Sequence, residues 1–328
     1  MFGFYSLFAL AAGFLTDLVI GDPHWLPHPV VLMGKLISLL EKLLRRVFPK
    51  TKRGENVAGL VLWLVVSALA FLVPAAILML CYHISKWLGF AVESVMCWQC
   101  LAAKSLRDES MKVKKALDSG DISASRRAVS MIVGRDTDAL DEKGVARAAV
   151  ETVAENTSDG VIAPLMFLAI GGGPLGMLYK AVNTMDSMLG YVEPPYRYFG
   201  LIPAKADDVF NFIPARISAI VMLLAGGVTG FDMKNGRRIF RRDRYKHASP
   251  NSAQTESVMA GLLRLRLAGD AYYHGVLHKK DFIGDALREI EPDDIRRSNV
   301  IMYLTALFAL LIFGGARLAV LFLIHAVL

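Results

Sequence analysis

The chain has 328 residues, 54% of them hydrophobic and only 20% charged, with a mean hydropathy of +0.43. That balance suits a membrane protein and speaks against a soluble one. The net charge of +7, from 37 Lys and Arg against 30 Asp and Glu, does not mark a nucleic-acid binder. The basic residues sit beside apolar segments, as the flanks of membrane helices do, and no zinc knuckle or aromatic–basic motif accompanies them.

In chain order, residues 2–16 are uncharged and apolar. No basic region precedes them and no A-x-A site follows, so they predict an uncleaved anchor helix reaching to about residue 20. Residues 35–53 carry seven Lys or Arg against one Glu, which predicts a cytoplasmic loop. Residues 56–85 hold no Lys, Arg, Asp or Glu and are long enough to span a bilayer. Pro74 leaves two forms open for this segment, a kinked span and a re-entrant hairpin. Residues 86–156 are more polar and predict helices, with "LDSGD" (117–121) and "GRDTD" (134–138) as loop or cap signals. Cys81, Cys97 and Cys100 imply no disulfide framework, and the lone C-x-x-C lacks the second pair of a zinc site.

Residues 161–179 are uncharged again, but Pro164 and "GGGP" (171–174) interrupt them, predicting a broken or half-inserted segment. Gly171, Gly173 and Gly176 formally match G-x-G-x-x-G, yet no strand precedes them and a flexible turn is the better reading. A shorter apolar run covers 212–231, and a polar helical stretch covers 232–299. Within it, residues 234–246 hold seven Lys or Arg against one Asp, a second cytoplasmic signal. His274 and His278, four apart, fit a surface helix better than a metal site, since no third ligand is in view. Residues 300–328 form a last apolar helix interrupted only by Arg317. The expected fold is all-α and polytopic: a single membrane-embedded domain over 1–328 with four or five membrane helices, broken or re-entrant segments and amphipathic helices.

Five polar clusters punctuate this apolar chain. "DLVIGDPHWLPHPV" (17–30) offers Asp17, Asp22, His24 and His28 between prolines. "AENTSDGVIAP" (154–164) runs Glu155, Asn156, Thr157, Ser158 and Asp159 into an apolar segment, where polar groups need partners or a ligand because lipid offers none. On a helix, Arg147, Glu151 and Glu155 would share one face leading into it. "YKAVNTMDSMLGY" (179–191) sets Lys180, Asn183, Thr184 and Ser187 together beside Asp186. "KADDVFNFIPAR" (205–216) holds Asp207, Asp208 and Asn211 within one turn, followed by Arg216. "YKHASPNSAQTES" (245–257) offers Lys246, His247, Ser249 and Asn251 in a turn and Glu256 in the helix after it. Oxygen-rich groups of this kind suit Mg²⁺ held together with phosphates. No P-loop and no G-x-S-x-G elbow is present.

Taken together, these five motifs resemble the adenosylcobinamide-phosphate synthase family, the CobD/CbiB proteins of cobalamin biosynthesis, in order and over most of the chain. The resemblance implies a multi-pass protein of the cell membrane. It also implies an amide-forming ligase that joins adenosylcobyric acid to aminopropanol phosphate, or ethanolamine phosphate, with ATP and Mg²⁺. By that resemblance Glu155, Asp159 and Asp186 are catalytic candidates and Asp207 and Asp208 candidate Mg²⁺ ligands. Asp22, His28, Asn156, Thr157, Ser158, Lys180, Asn183, Asn211, Arg216, Lys246, His247, Ser249, Asn251 and Glu256 become candidate substrate or ATP contacts. A homo-oligomer, or a complex with other cobalamin-assembly enzymes, stays open, and no nucleic-acid partner is expected. Two competing readings are a non-catalytic membrane signalling protein related to β-lactamase regulators and a membrane transporter. A signalling protein would not need all five clusters, and a transporter would usually show an internal repeat.

Overall fold

The computed structural model describes residues 2–23, 25–191, 193–273 and 275–327. Among them almost all regular structure is helical, and five segments are long and apolar enough to cross a membrane. These are Gly3–Ile20, Lys52–Ile84, Glu142–Leu189, Leu201–Val228 and Asp293–Ala326, which is the all-α polytopic class expected from the sequence. The chain forms two compact units, one of residues 1–102, 163–211 and 310–328, the other of residues 103–162 and 212–309.

The first unit is built from α1 (Phe2–Ile20), α2 (Pro29–Val47), α3 (Lys52–Ile84), α4 (Lys86–Cys100) and α8 (Ala163–Leu189), with the first part of α9 (Leu201–Val228) and the end of α12 (Asp293–Val327). α3 runs uninterrupted through Pro74, so the hairpin open for 56–85 does not form. Ile37, Leu62, Val66, Met185 and Phe199 make its core. Leu15, Leu64, Leu72 and Leu80 stay exposed, as side chains of spanning helices do when lipid is their solvent. The break predicted at "GGGP" is real. α8 leaves helical geometry at Gly171 and at Gly172 (φ +65°, ψ −159°), a conformation that only glycine adopts without strain. The amide freed beyond the break, Gly173 N–H, donates to Glu93 Oε1 (3.3 Å). Ser6 Oγ (2.5 Å) and Tyr82 Oη (2.6 Å) donate to the same carboxylate. Glu93 is 3% exposed, and these donors are what make its burial tolerable. Arg317, the one charge in the apolar part of α12, donates to the Leu168 carbonyl at 3.0 Å and so serves a backbone group ahead of the break.

The second unit contains α5 (Ala103–Asp118), α6 (Ile122–Ser130), α7 (Glu142–Asn156), a π-helical turn (Thr157–Ile162), α10 (Met233–Asp243) and α11 (Ser252–Leu263), with the remainders of α9 and α12. α11 is its hub: every residue from Ser252 to Leu263 is buried. α10 crosses it so closely that a Cβ on Gly261 would lie 2.6 Å from Gly236 Cα. Val145, Val150, Met222, Ile239, Met259 and Ile295 belong to the surrounding core.

The stretch 232–299, expected to be helical, departs from that reading between α11 and α12. Here β1 (Arg266–Ala268) pairs with β4 (Phe282–Gly284), and β2 (Ala271–Tyr273) pairs with β3 (Val276–His278) inside it. Gly269, Gly275 and Gly284 take positive φ and let the chain reverse, whereas the surface helix expected around His278 would need helical φ. His278 therefore lies on a strand, its ring edge-on to Tyr273, while His24 and His274 fall outside the described residues. The buried carboxylate of Asp243 ties α10 to β4, accepting Gly284 N–H at 2.8 Å and pairing with Arg242 and Lys246.

Candidate functional site

A polar cleft of about 200 Å³ opens in the second unit where α7, α11, the loop after α6 and the nested hairpins meet. Glu151 and Glu155, one helical turn apart on α7, project into it together, as the stripe through "VETVAEN" predicts. Arg147, the third member of that stripe, does not line it. Glu256 enters from the second turn of α11 and His247 from the turn before that helix. Arg135 comes from the loop between α6 and α7, which is zipped to the inner hairpin. There Asp136 N–H donates to the Tyr272 carbonyl (2.8 Å), and the Asp136 carboxylate accepts Gly275 N–H (2.7 Å). Lys280 and Tyr273 close the rim, with Lys280 Nζ donating to Tyr273 Oη at 2.8 Å.

The three carboxylates are held differently. Glu151 is 5% exposed; its Oε2 pairs with Arg135, and its Oε1 accepts Ala268 N–H at 2.6 Å. Ala268 has a left-handed backbone (φ +58°), unusual for a residue with a Cβ, and it lines the cleft beside Gly269. Burial works against the Arg135 charge, but the Glu151 carboxylate outweighs it and holds the guanidinium pKa above its usual value. Glu155 Oε1 accepts Ser252 Oγ at 2.8 Å. Glu256 is also 5% exposed, and its buried Oε2 has no hydrogen-bond partner among the described residues. Burial, then the charges of Glu155 and Glu151, push its pKa well above the usual carboxylate range, against the opposing pull of Lys280 and Arg135. Burial likewise lowers the His247 pKa, so the ring is neutral near pH 7. Its Nδ1 accepts Ser249 N–H (3.1 Å), which leaves the proton on Nε2.

The other residues singled out in the sequence take various places. Asn156 lines the cleft, with its amide donating back to the Thr152 carbonyl at 3.0 Å. Thr157 donates to the Val153 carbonyl (2.6 Å), and Ser158 Oγ lies 3.4 Å from Ser218 Oγ; both are buried in the π-helical turn, with half-buried Asp159 beside them. The "NTSDG" run thus forms a register shift in a helix, a device that recurs at functional sites. Arg216 donates to Asn251 Oδ1 (3.2 Å) and to the Phe212 carbonyl (2.6 Å). Lys246 does not line the cleft; it pairs with Asp243 at 2.9 Å.

A second set lies in the first unit. Asn211 is its centre, accepting Tyr179 Oη (2.8 Å) and donating to Asp207 Oδ2 (3.0 Å), while Asn183 donates to Asp207 Oδ1 (3.4 Å). Asp208 is half-buried next along α9, and Lys180 and Asp186 are half-buried on α8. His28 caps α2, its Nδ1 accepting Val30 N–H (3.2 Å), with Nε2 3.5 Å from Asp22. Among the described residues no three His, Cys, Asp or Glu side chains converge as a metal cage.

The sequence profile of the family described as CobD/Cbib protein matches residues 10–302. The chain belongs to the CobD/CbiB family. Among its relatives, "Cobalamin biosynthesis protein CobD" of Clostridium perfringens is 46% identical over 300 residues, covering 92% of this chain and 94% of the relative. The protein of the same name from Klebsiella pneumoniae is 45% identical over 313 residues, covering 95% and 98%. "Cobalamin biosynthesis protein CbiB" of Salmonella typhi is 43% identical over 313 residues, with the same coverage. No solved structure matches the chain. In this CobD/CbiB chain the cleft adds Arg135, Tyr273 and Lys280 to the residues legible beforehand.

Proposed function

We propose that this CobD/CbiB protein serves cobalamin biosynthesis in the cell membrane as an ATP-dependent amide-forming ligase. It joins the carboxyl group of adenosylcobyric acid to the amine of aminopropanol phosphate or ethanolamine phosphate, giving adenosylcobinamide phosphate or its lower homologue. The observation that carries this reading, alongside the family, is the cleft itself: carboxylates, a neutral imidazole and two cations converge there around Glu256, whose buried Oε2 has no partner among the described residues. A signalling protein has no use for that arrangement.

A carboxylate is a poor electrophile and an ammonium is no nucleophile, so both must be changed. The substrate carboxylate oxygen attacks the γ-phosphorus of ATP and ADP leaves, giving an acyl phosphate. The amine nitrogen, relieved of a proton, attacks the acyl carbon, and inorganic phosphate leaves with the former carboxylate oxygen. Glu155, oriented by Ser252, is the candidate proton acceptor, with Asp159 one helical turn further on. The described residues offer no nucleophilic Ser or Cys arrangement at the cleft, which favours activation on the substrate rather than on the enzyme.

The donor chemistry fits Mg²⁺ carried with a nucleotide, which needs only one or two carboxylates besides phosphate and water. Asp207 and Asp208 would supply them, with the amides on Asp207 turned aside, and Lys180 would supply a phosphate contact. When bound, the ion would neutralise triphosphate charge. Purified protein given adenosylcobyric acid, the amine and Mg-ATP should form the amide and release ADP and phosphate in equal amounts. Product formed equally well without nucleotide would sink the reading.

A further inference from the structure

The cleft carries two opposed kinds of group in a small volume. Glu256 and Glu155 line it, the first with a buried oxygen that no described residue satisfies. The cations Arg135 and Lys280 line the same space, with the Nε2–H of His247 as a neutral donor. An unsatisfied buried acceptor costs about 1–3 kcal/mol, so a donor is expected to arrive from outside the chain. A ligand with only negative charge, such as a triphosphate, would meet three carboxylates. A purely cationic ligand would meet Arg135 and Lys280. At about 200 Å³ the space also falls below the roughly 300–1,000 Å³ of pockets for drug-sized ligands, so neither a corrinoid nor a whole nucleotide fits within it.

We infer that this cleft is the subsite for a small zwitterion, with a primary ammonium on Glu256 and Glu155 and a phosphate on Arg135, Lys280 and His247. The inference rests on the proposed function, in which the amine substrate is a molecule of this class, and it assigns that substrate to this cleft. Three sequence-distant residues, Arg135, Tyr273 and Lys280, thereby gain a role. Arg135 is steered by Glu151 and keeps its other guanidinium nitrogens for phosphate oxygens. Lys280 is held against the Tyr273 ring, 4.8 Å from its centroid. An ammonium arriving beside Glu256 favours the ionised carboxylate, which places a proton acceptor next to the nitrogen that must become a nucleophile.

The test is equilibrium binding to the full-length protein in detergent, without corrinoid or nucleotide. Four probes are compared: ethanolamine phosphate, ethyl phosphate, ethanolamine and inorganic phosphate. The zwitterion should bind at least tenfold more tightly than each of the other three. Glu256→Gln should weaken ethanolamine phosphate about tenfold and leave ethyl phosphate unchanged, whereas Lys280→Met should weaken both phosphates. Lys280 is a half-buried loop residue outside the core, so its variant keeps the test alive if Glu256→Gln fails to fold. Equal binding of ethyl phosphate and ethanolamine phosphate, or binding unchanged in both variants, overturns the subsite. Selective binding with no amide product would leave the subsite standing and remove the reaction. Normal turnover in Glu256→Gln with an unchanged KM for the amine would remove the subsite and leave the reaction.

Discussion

Replacing Arg135 by Met probes the scaffold of the cleft, because it leaves the Glu151 carboxylate buried without its cation. Removing one partner of a buried ion pair costs about 3–5 kcal/mol in general. Here Glu151 Oε1 retains the Ala268 amide at 2.6 Å, which offsets part of that cost and brings the loss to about 2–3 kcal/mol. In the double variant Arg135→Met/Glu151→Gln, the new amide oxygen can still accept Ala268 N–H and no charge is stranded. That variant should therefore be more stable than Arg135→Met alone, giving a coupling energy of at least ~1.5 kcal/mol. Unfolding in one fixed detergent, followed by near-ultraviolet circular dichroism, measures all four proteins of the cycle. Additive losses, or a loss under ~0.5 kcal/mol for Arg135→Met, would mean that the pair does not hold the cleft together.

Glu155→Ala and Asp159→Ala should each lower turnover about 10²-fold while membrane-fraction yield stays normal; near-normal turnover in both would remove this stretch from the site. Glu256 binds its proton more tightly folded than unfolded, so its contribution is complete below the unfolded value of 4.5 and is lost as pH rises towards the higher folded pKa. Glu256→Gln should therefore flatten the decline of stability above pH 4.5, read from melts at a series of pH values, and an unchanged slope would contradict the burial argument. Gly172→Ala forces a left-handed residue towards Glu93 and should cost at least ~1–2 kcal/mol, whereas Gly230→Ala, also at positive φ but in open space, should cost only the backbone term. Equal losses at the two positions would remove the Glu93 contact from the account.

The spans were legible because charge-free runs of this length have few other uses, and the break at 171–174 because Gly and Pro cannot propagate a helix. What holds that break was hidden: Ser6, Tyr82 and Glu93 come from three separate helices, and nothing in the spacing pairs them with Gly173. The hairpins were missed because three-residue strands are too short to show a period of two. Glu151, Glu155, His247 and Glu256 stood out from the sequence, but not the fact that one cleft collects them. Arg135 and Lys280 are basic residues in loops, indistinguishable in sequence from solvated charges until the Asp136–Tyr272 contact draws the two loops together. Lys246 shows the reverse, since a buried Asp243 that sequence cannot reveal takes the charge that looked available.

The fate of one oxygen tests the ligase reading most directly. Adenosylcobyric acid carrying ¹⁸O in its reacting carboxylate is turned over with Mg-ATP and the amine, and the released phosphate is analysed by mass spectrometry. An acyl phosphate requires one labelled oxygen to leave with the phosphate and the other to stay in the amide. Label in the phosphate at a ratio of one atom per amide formed is the predicted result; phosphate free of label, with product still accumulating, contradicts it.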